Sequence, residues 1–180
     1  MEKYIAILRG INVSGQKKIK MDELRLLMEE LKLKNVQTYI QSGNLIFEYN
    51  KVIDVELPKK IGEKIYQNYG FQVPVITRTL SEWKNVFDNN PFLKDRGEDI
   101  SRLHVTFLAD KPKDEYLNNV NKFNSPPDEF IISGKEIYLF CPNGYGRTKL
   151  SNTFFENKLK VLATTRNVKT VKNVLDIANN

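Results

Sequence analysis

Cysteine and histidine are each represented once in this 180-residue chain, as Cys141 and His104. One cysteine excludes an internal disulfide, and two soft donors are too few for a four-ligand zinc site, so no metal is expected. His104 falls inside an expected strand with no Cys or Asp partner at ligand spacing, so no Ser-His-Asp arrangement is arguable and no catalytic residue is assigned. No stretch approaches the roughly 18 apolar residues of a membrane helix, and MEKYIAILRG lacks the long apolar core and cleavage site of a signal peptide. These absences together predict a cytoplasmic protein with no membrane partner. No cofactor is expected either, since neither GxxxxGK[ST] nor GxGxxG occurs.

What is present is an ordinary globular balance, 41% hydrophobic and 28% charged, which excludes a disordered chain. This length suffices for one domain or two small ones, burying about 70% of the unfolded surface without staples. The net charge of +6 is uneven. Residues 1–20 carry five basic residues and one acid, and residues 141–180 carry seven and two, so both ends are basic and the middle is slightly acidic. Such ends suit acidic partners, although a solvated basic surface gives the same totals.

Tyr4–Leu8 is a short apolar run and reads as a buried strand. Met21, Leu24, Leu27, Met28 and Leu31 recur at helical spacing after the polar loop 9–20. Val36–Gln41 and Asn44–Tyr49 alternate as strands, with Ser42-Gly43 as a two-residue turn. A helix from about Asp54 carries Leu57, Ile61 and Ile65, with Gly70 past its end. The strand Gln72–Thr77 follows, then a helix from Thr79 whose Glu82 completes a capping box. Residues 89–100 read as a polar connector. The order then recurs: strand Leu103–Leu108, helix Lys113–Val120, and strands Glu129–Ile132 and Glu136–Phe140 across Ser133-Gly134. A helix over about 150–159, a short strand at Val161–Thr164 and a helix capped by Asn167 complete it. The expected fold class is α+β, two tandem ferredoxin-like βαββαβ units packed as one compact body. The expected division is residues 1–78, a connecting helix and loop at 79–101, and residues 102–180 with the C-terminal helix.

Three runs carry a resemblance: LRGINVSGQKKIKM, TYIQSGNLIF and GYGRTKLSNTFFENKL with the later ATTRNVKTV. Together they resemble, over nearly the whole chain, the uncharacterised bacterial family numbered 1697 among the domains of unknown function. The resemblance implies a compact α+β fold and brings no established activity. The positions it marks fall on Arg9, Gly10, Asn12, Ser42, Gly43, Asn44, Gly144, Arg147, Lys149, Arg166 and Asn167. Thr148 is the threonine form of the hydroxyl residue expected before the lysine.

Four loops could carry chemistry. In 142–149 a strand ends, glycines follow, and Arg147, Thr148 and Lys149 meet a helix start. That is how backbone N–H groups come to face a phosphate, with arginine adding a bidentate contact. A tight turn capped by Thr148 or Ser151 is the structural alternative. In 9–20, Arg9, Gly10 and Asn12 follow a strand at a position where sites collect, or they simply connect. Gln41, Ser42 and Asn44 offer donors and acceptors at a hairpin turn. Arg166 and Asn167 sit where a helix begins, a place favourable to anions and equally suited to plain capping. The ligand-binding candidates are therefore Arg9, Gly10, Asn12, Ser42, Asn44, Gly144, Gly146, Arg147, Thr148, Lys149, Arg166 and Asn167. Leu45, Phe47 and Tyr49 share a strand face like an RNA-recognition strand, without its full pattern, and read better as core. Asp22, Glu23, Glu29 and Glu30 read as solvated, and Cys141 as core-like. Three functions remain open: a binder of a phosphorylated small molecule or nucleic acid, a small enzyme on an anionic substrate, or an interaction scaffold of undetermined oligomeric state.

Overall fold

A computed structural model of the protein describes residues 1–50 and 55–180. Among the described residues the chain is a mixed α/β protein with seven α-helices and two four-stranded antiparallel sheets. Two compact units account for the chain: Met1–Trp83 with Val174–Asn180, and Lys84–Asn173.

The first unit is built on β1 (Glu2–Leu8), which lies between β3 (Asn44–Tyr49) and β4 (Val75–Thr79), with β2 (Lys34–Tyr39) outside β3. Tyr4 through Leu8 are all buried, so both faces of the central strand are apolar and the run is continuous rather than alternating. Register places Tyr4 opposite Phe47 and Ala6 opposite Leu45. These side chains meet Leu24, Leu27 and Met28 of α1 (Met21–Glu29) and Ile61 and Ile65 of α2 (Leu57–Tyr69) in one core. Tyr4 and Phe47 stack there, with centroids 6.0 Å apart. The strand face of Leu45 and Phe47 is therefore core. Burying each such side chain contributes on the order of 1.5–3 kcal/mol.

α2 ends as expected at Gly70 (φ +74), whose N–H bonds to the Tyr66 carbonyl. The expected start near Asp54 lies outside the described residues. Three sequence expectations shift. The β2–β3 connection is a four-residue loop, Ile40 to Gly43, closed by the pair Tyr39–Asn44 rather than a two-residue turn at Ser42-Gly43. α1 stops at Glu29, so Leu31 lies beyond it and only packs against the core edge. The last strand begins at Val75 rather than Gln72, because Pro74 and the residues before it form no ladder.

The second unit repeats this strand order with β5 (Leu103–Leu108) flanked by β7 (Glu136–Phe140) and β8 (Ala163–Asn167), and β6 (Glu129–Ser133) outside β7. Leu108, Ile137, Leu139 and Ala163 pack with Val120 of α5 (Asp114–Asn121) and with Phe155 and Leu159 of α6 (Asn152–Leu159). β8 starts at Ala163 and runs to Asn167, later than the expected Val161–Thr164. Its residues are mostly polar, so alternation of apolar side chains could not mark it.

Residues 79–101 hold α3 (Leu80–Asp88), α4 (Pro91–Lys94) and the start of a 3₁₀ turn at Ile100. The capping box forms as expected: Thr79 N–H donates to the Glu82 carboxylate at 2.8 Å, and Glu82 N–H to the Thr79 hydroxyl at 3.2 Å. Such a pair stabilises a helix start by about 1 kcal/mol. The stretch 89–100 is less polar than its sequence suggests, since α4 buries Phe92 completely. No helix among the described residues is long and apolar enough to cross a membrane.

Candidate anion-binding site

The candidate residues fall into two groups, one in each unit. In the first unit, Asn12 stitches the 9–20 loop to the hairpin loop. Its amide donates to the carbonyls of Ile19 and Gln41, both at 2.9 Å, and its carbonyl oxygen accepts from Ile19 N–H at 2.9 Å. Asn44 is fully buried, and its amide donates to the Tyr39 carbonyl at 3.0 Å and the Ser42 hydroxyl at 3.3 Å. The Gly43 carbonyl accepts from Leu8 N–H at 2.8 Å, and Arg9 N–H donates to the Pro74 carbonyl at 3.0 Å. Both asparagine amides are thus engaged in holding loops together. Gly10, at φ +73, is exposed. Gly43, at φ +82, sits where a Cβ would come within 2.7 Å of Leu8 and Ile11. Beside these loops Asn12, Gln41, Lys18 and Lys20 line an open cleft that Asp22 and Glu23 also border.

In the second unit, Gly144 takes φ +89 and starts the 3₁₀ turn Tyr145–Arg147. A side chain would strain that conformation, which is why glycine serves there. Gly146 has no such demand, and a Cβ on it meets nothing. Thr148 accepts from Leu150 N–H at 3.1 Å, and Ser151 caps α6 by accepting from Phe154 N–H at 3.2 Å. The hydroxyls therefore shape the loop, while Arg147 and Lys149 project from it, both exposed. These two cations and Asn143 line a cleft of about 390 Å³ whose opposite wall is the loop 123–128. Asp128 is on that wall too, so the charged side chains lining the cleft sum to one positive charge. Neither Arg147 nor Lys149 forms an ion pair among the described residues.

Arg166 is not among the residues lining this cleft. It lies in β8 opposite Val105, and its guanidinium donates to the Thr165 carbonyl at 3.0 Å and the Thr164 hydroxyl at 3.3 Å. Burial pushes its pKa down to about 10, so it keeps its charge at neutral pH. Asn167 caps the last helix, α7 (Val168–Asn179), by accepting from Lys169 N–H at 2.7 Å.

The inner anchor of the glycine-bearing loop is Tyr145, which the sequence reading did not single out. Its ring stacks on His104, and its hydroxyl donates to Thr165 at 3.1 Å. Thr165 also bonds Thr106 and Asn152, each at 2.7 Å. Thr106 and Thr165 are a register pair of β5 and β8, so a polar cluster stands on the sheet under the loop. The corresponding pair in the first unit is Ala6 and Thr77. Burial pushes the His104 pKa down, favouring a neutral ring. Cys141 is buried, and its thiol is pushed up to about 11 by burial and by Asp128. No cluster of three metal-ligating side chains occurs among the described residues. The loop 123–128 carried one signal that could have been read, the Ser125-Pro126-Pro127 punctuation.

A profile of the family described as Protein of unknown function (DUF1697) matches residues 1–138. That span takes in the first two runs quoted for the resemblance and stops before Gly144, so the third lies outside it. No curated protein matches. Among solved structures, a conserved bacterial protein, SP0830 from Streptococcus pneumoniae, is 23% identical over 98% of both chains with a TM-score of 0.75. At that identity the likeness is one of fold. The matched span covers well over half of the sequence, and the chain belongs to the DUF1697 family.

Proposed function

We propose that the protein binds a phosphorylated small molecule, in the cleft lined by Arg147, Lys149 and Asn143. The observation that carries this reading is the placement of two cations from one glycine-bearing loop along a cleft of about 390 Å³. That volume falls in the range of about 300–1,000 Å³ typical of small-ligand sites. A guanidinium offers a phosphate two parallel hydrogen bonds and an ammonium adds a point charge. Asn143 adds neutral donors. Asp128 would set a limit on the negative charge tolerated on that wall. The network under Tyr145 holds the loop backbone, so ordering on ligand arrival is confined to the two exposed side chains.

We infer, in addition, that each unit is a ferredoxin-like βαββαβ unit and that the two arose as a tandem pair. The support is positional: Arg78 faces Ile5 in the first unit as Arg166 faces Val105 in the second. Each arginine is followed by a residue, Thr79 or Asn167, that caps the next helix. A cytosolic address is the companion inference, supported by the lone, buried Cys141.

Thermal-shift measurement against inorganic phosphate, sulfate, sugar phosphates, mononucleotides and short oligonucleotides, at two salt concentrations, tests the reading. A ligand at about 100 times its Kd stabilises by roughly 2.7 kcal/mol. One phosphorylated class should raise Tm, and Arg147→Ala with Lys149→Ala should abolish the rise. A shift that survives both substitutions, or no shift with any compound, overturns the site. A shift confined to oligonucleotides and lost steeply with salt would move the assignment to nucleic acid.

A further inference from the structure

The sheet edges are not guarded alike. The outer edge of β2 is broken by a register shift between Lys34 and Gln37, with Asn35 at φ +51. Bulges and lysines of this kind are how edges are kept from pairing. β4 and β8 each carry an arginine within the strand. β6 has none of these devices. Its five residues pair with β7 in unbroken register, from Glu129–Phe140 to Ser133–Glu136. Among the described residues no strand lies on its other side. Its single charge, Glu129, stands at the strand's start and is held by Arg96 at 2.7 and 3.1 Å. At its centre Ile131 is 43% exposed.

We propose that β6 is a self-pairing edge, where a second copy of this chain adds antiparallel β6 about a two-fold axis through Ile131. The geometry supports that register. The two-residue loop Gly134-Lys135 makes Ser133–Glu136 the hydrogen-bonded closing pair of the hairpin, and alternation then turns the N–H and C=O of Phe130 and Ile132 outward. A two-fold axis at Ile131 places Phe130 opposite the partner copy's Ile132, so these outward groups satisfy one another. It also apposes the two Ile131 side chains as a close, non-hydrogen-bonded pair. The charges agree with this register. The acidic end of the strand, Asp128 and Glu129, faces Ser133 and Gly134 of the copy, next to Lys135, and no like charges stand directly opposed. Isologous pairing of this kind closes after two copies.

Light scattering on the purified full chain, from low to high micromolar concentration, should give a dimer, twice 20.9 kDa. Ile131→Lys puts two ammonium groups face to face and should raise the dimer dissociation constant at least about tenfold. The far-UV circular dichroism should stay unchanged. Ile131→Cys should form a disulfide-linked dimer under mild oxidation, whereas a cysteine at Leu26, exposed in the other unit, should not. A monomer at every concentration overturns the proposal. So does a dimer that Ile131→Lys leaves intact, or one in which Ile131→Cys fails to cross-link.

Discussion

The ring of Tyr145 lies against that of His104 with centroids 4.9 Å apart and planes 25° from parallel. Through this contact a loop that carries Arg147 is tied to the middle strand of its sheet. The histidine is best suited to the task when neutral: Nε2 lies 3.4 Å from the Asn167 amide nitrogen, a donor already engaged with the Ser101 carbonyl. A protonated ring would set one donor against another.

That arrangement makes stability depend on pH. The folded-state pKa of His104 is lowered by burial from its ordinary 6.5. The unfolded chain therefore takes up the proton first as pH falls. The contribution is complete above about 6.5 and is lost as pH drops below it. Melting curves between about pH 7.5 and 5 should show a steeper fall in Tm for the wild type than for His104→Gln. Equal slopes would mean that another group is responsible.

Gly43 combines two demands, φ +82 and a neighbour 2.7 Å from any added Cβ. Gly43→Ala should destabilise by about 2 kcal/mol or more, from strain and from displaced Leu8 and Ile11. Gly10→Ala, with φ +73 and open space around it, should cost only about 1 kcal/mol. Urea denaturation of the two variants gives the comparison directly, and equal losses would show that crowding at Gly43 is relieved at no cost.

Asn12 and Asn44 brace one hairpin loop from opposite sides, at Gln41 and at Tyr39 with Ser42. Each change to alanine should cost about 1–3 kcal/mol, and the double variant should lose less than the sum, since the second change acts on a loop already loosened. Strict additivity in a double-mutant cycle would show that the two braces act independently.

Cys141 should behave as an inert core residue. With its thiol pushed up to about 11 and its side chain buried, it offers almost no thiolate near neutral pH. An alkylating reagent at about pH 8 should label it only after unfolding. Rapid labelling of the native protein would contradict this.

The readable parts of the fold were those in which local chemistry and tertiary fate coincide. Leu103–Leu108 is apolar at four of its six positions and buried along its whole length because it is central, and its bounds are those read from the sequence. The Thr79–Glu82 box and the Asn167 cap were legible because the residues that make them are neighbours. Ile40 was not: it takes φ +52 although β-branched, between the carbonyls of Tyr39 and Gln41 that Asn44 and Asn12 hold. The stack of Tyr145 on His104 and the clasp of Arg96 on Glu98 and Glu129 join residues far apart or unpatterned in sequence. Asn12, Asn44 and Thr148 were conspicuous as polar loop residues. The bonds they make are the ones a loop needs in order to hold its shape.

Lys3, in the first strand, donates to the carbonyl of Ala178 at 2.5 Å across 175 residues of chain. The unit that begins the protein also contains Val174–Asn180. During synthesis β1 through α2 are made early and lack one of their own pieces until Val174–Asn180 follow. The second unit has no such delay, since Lys84–Asn173 is continuous. The order of completion during synthesis is therefore the reverse of the order of appearance.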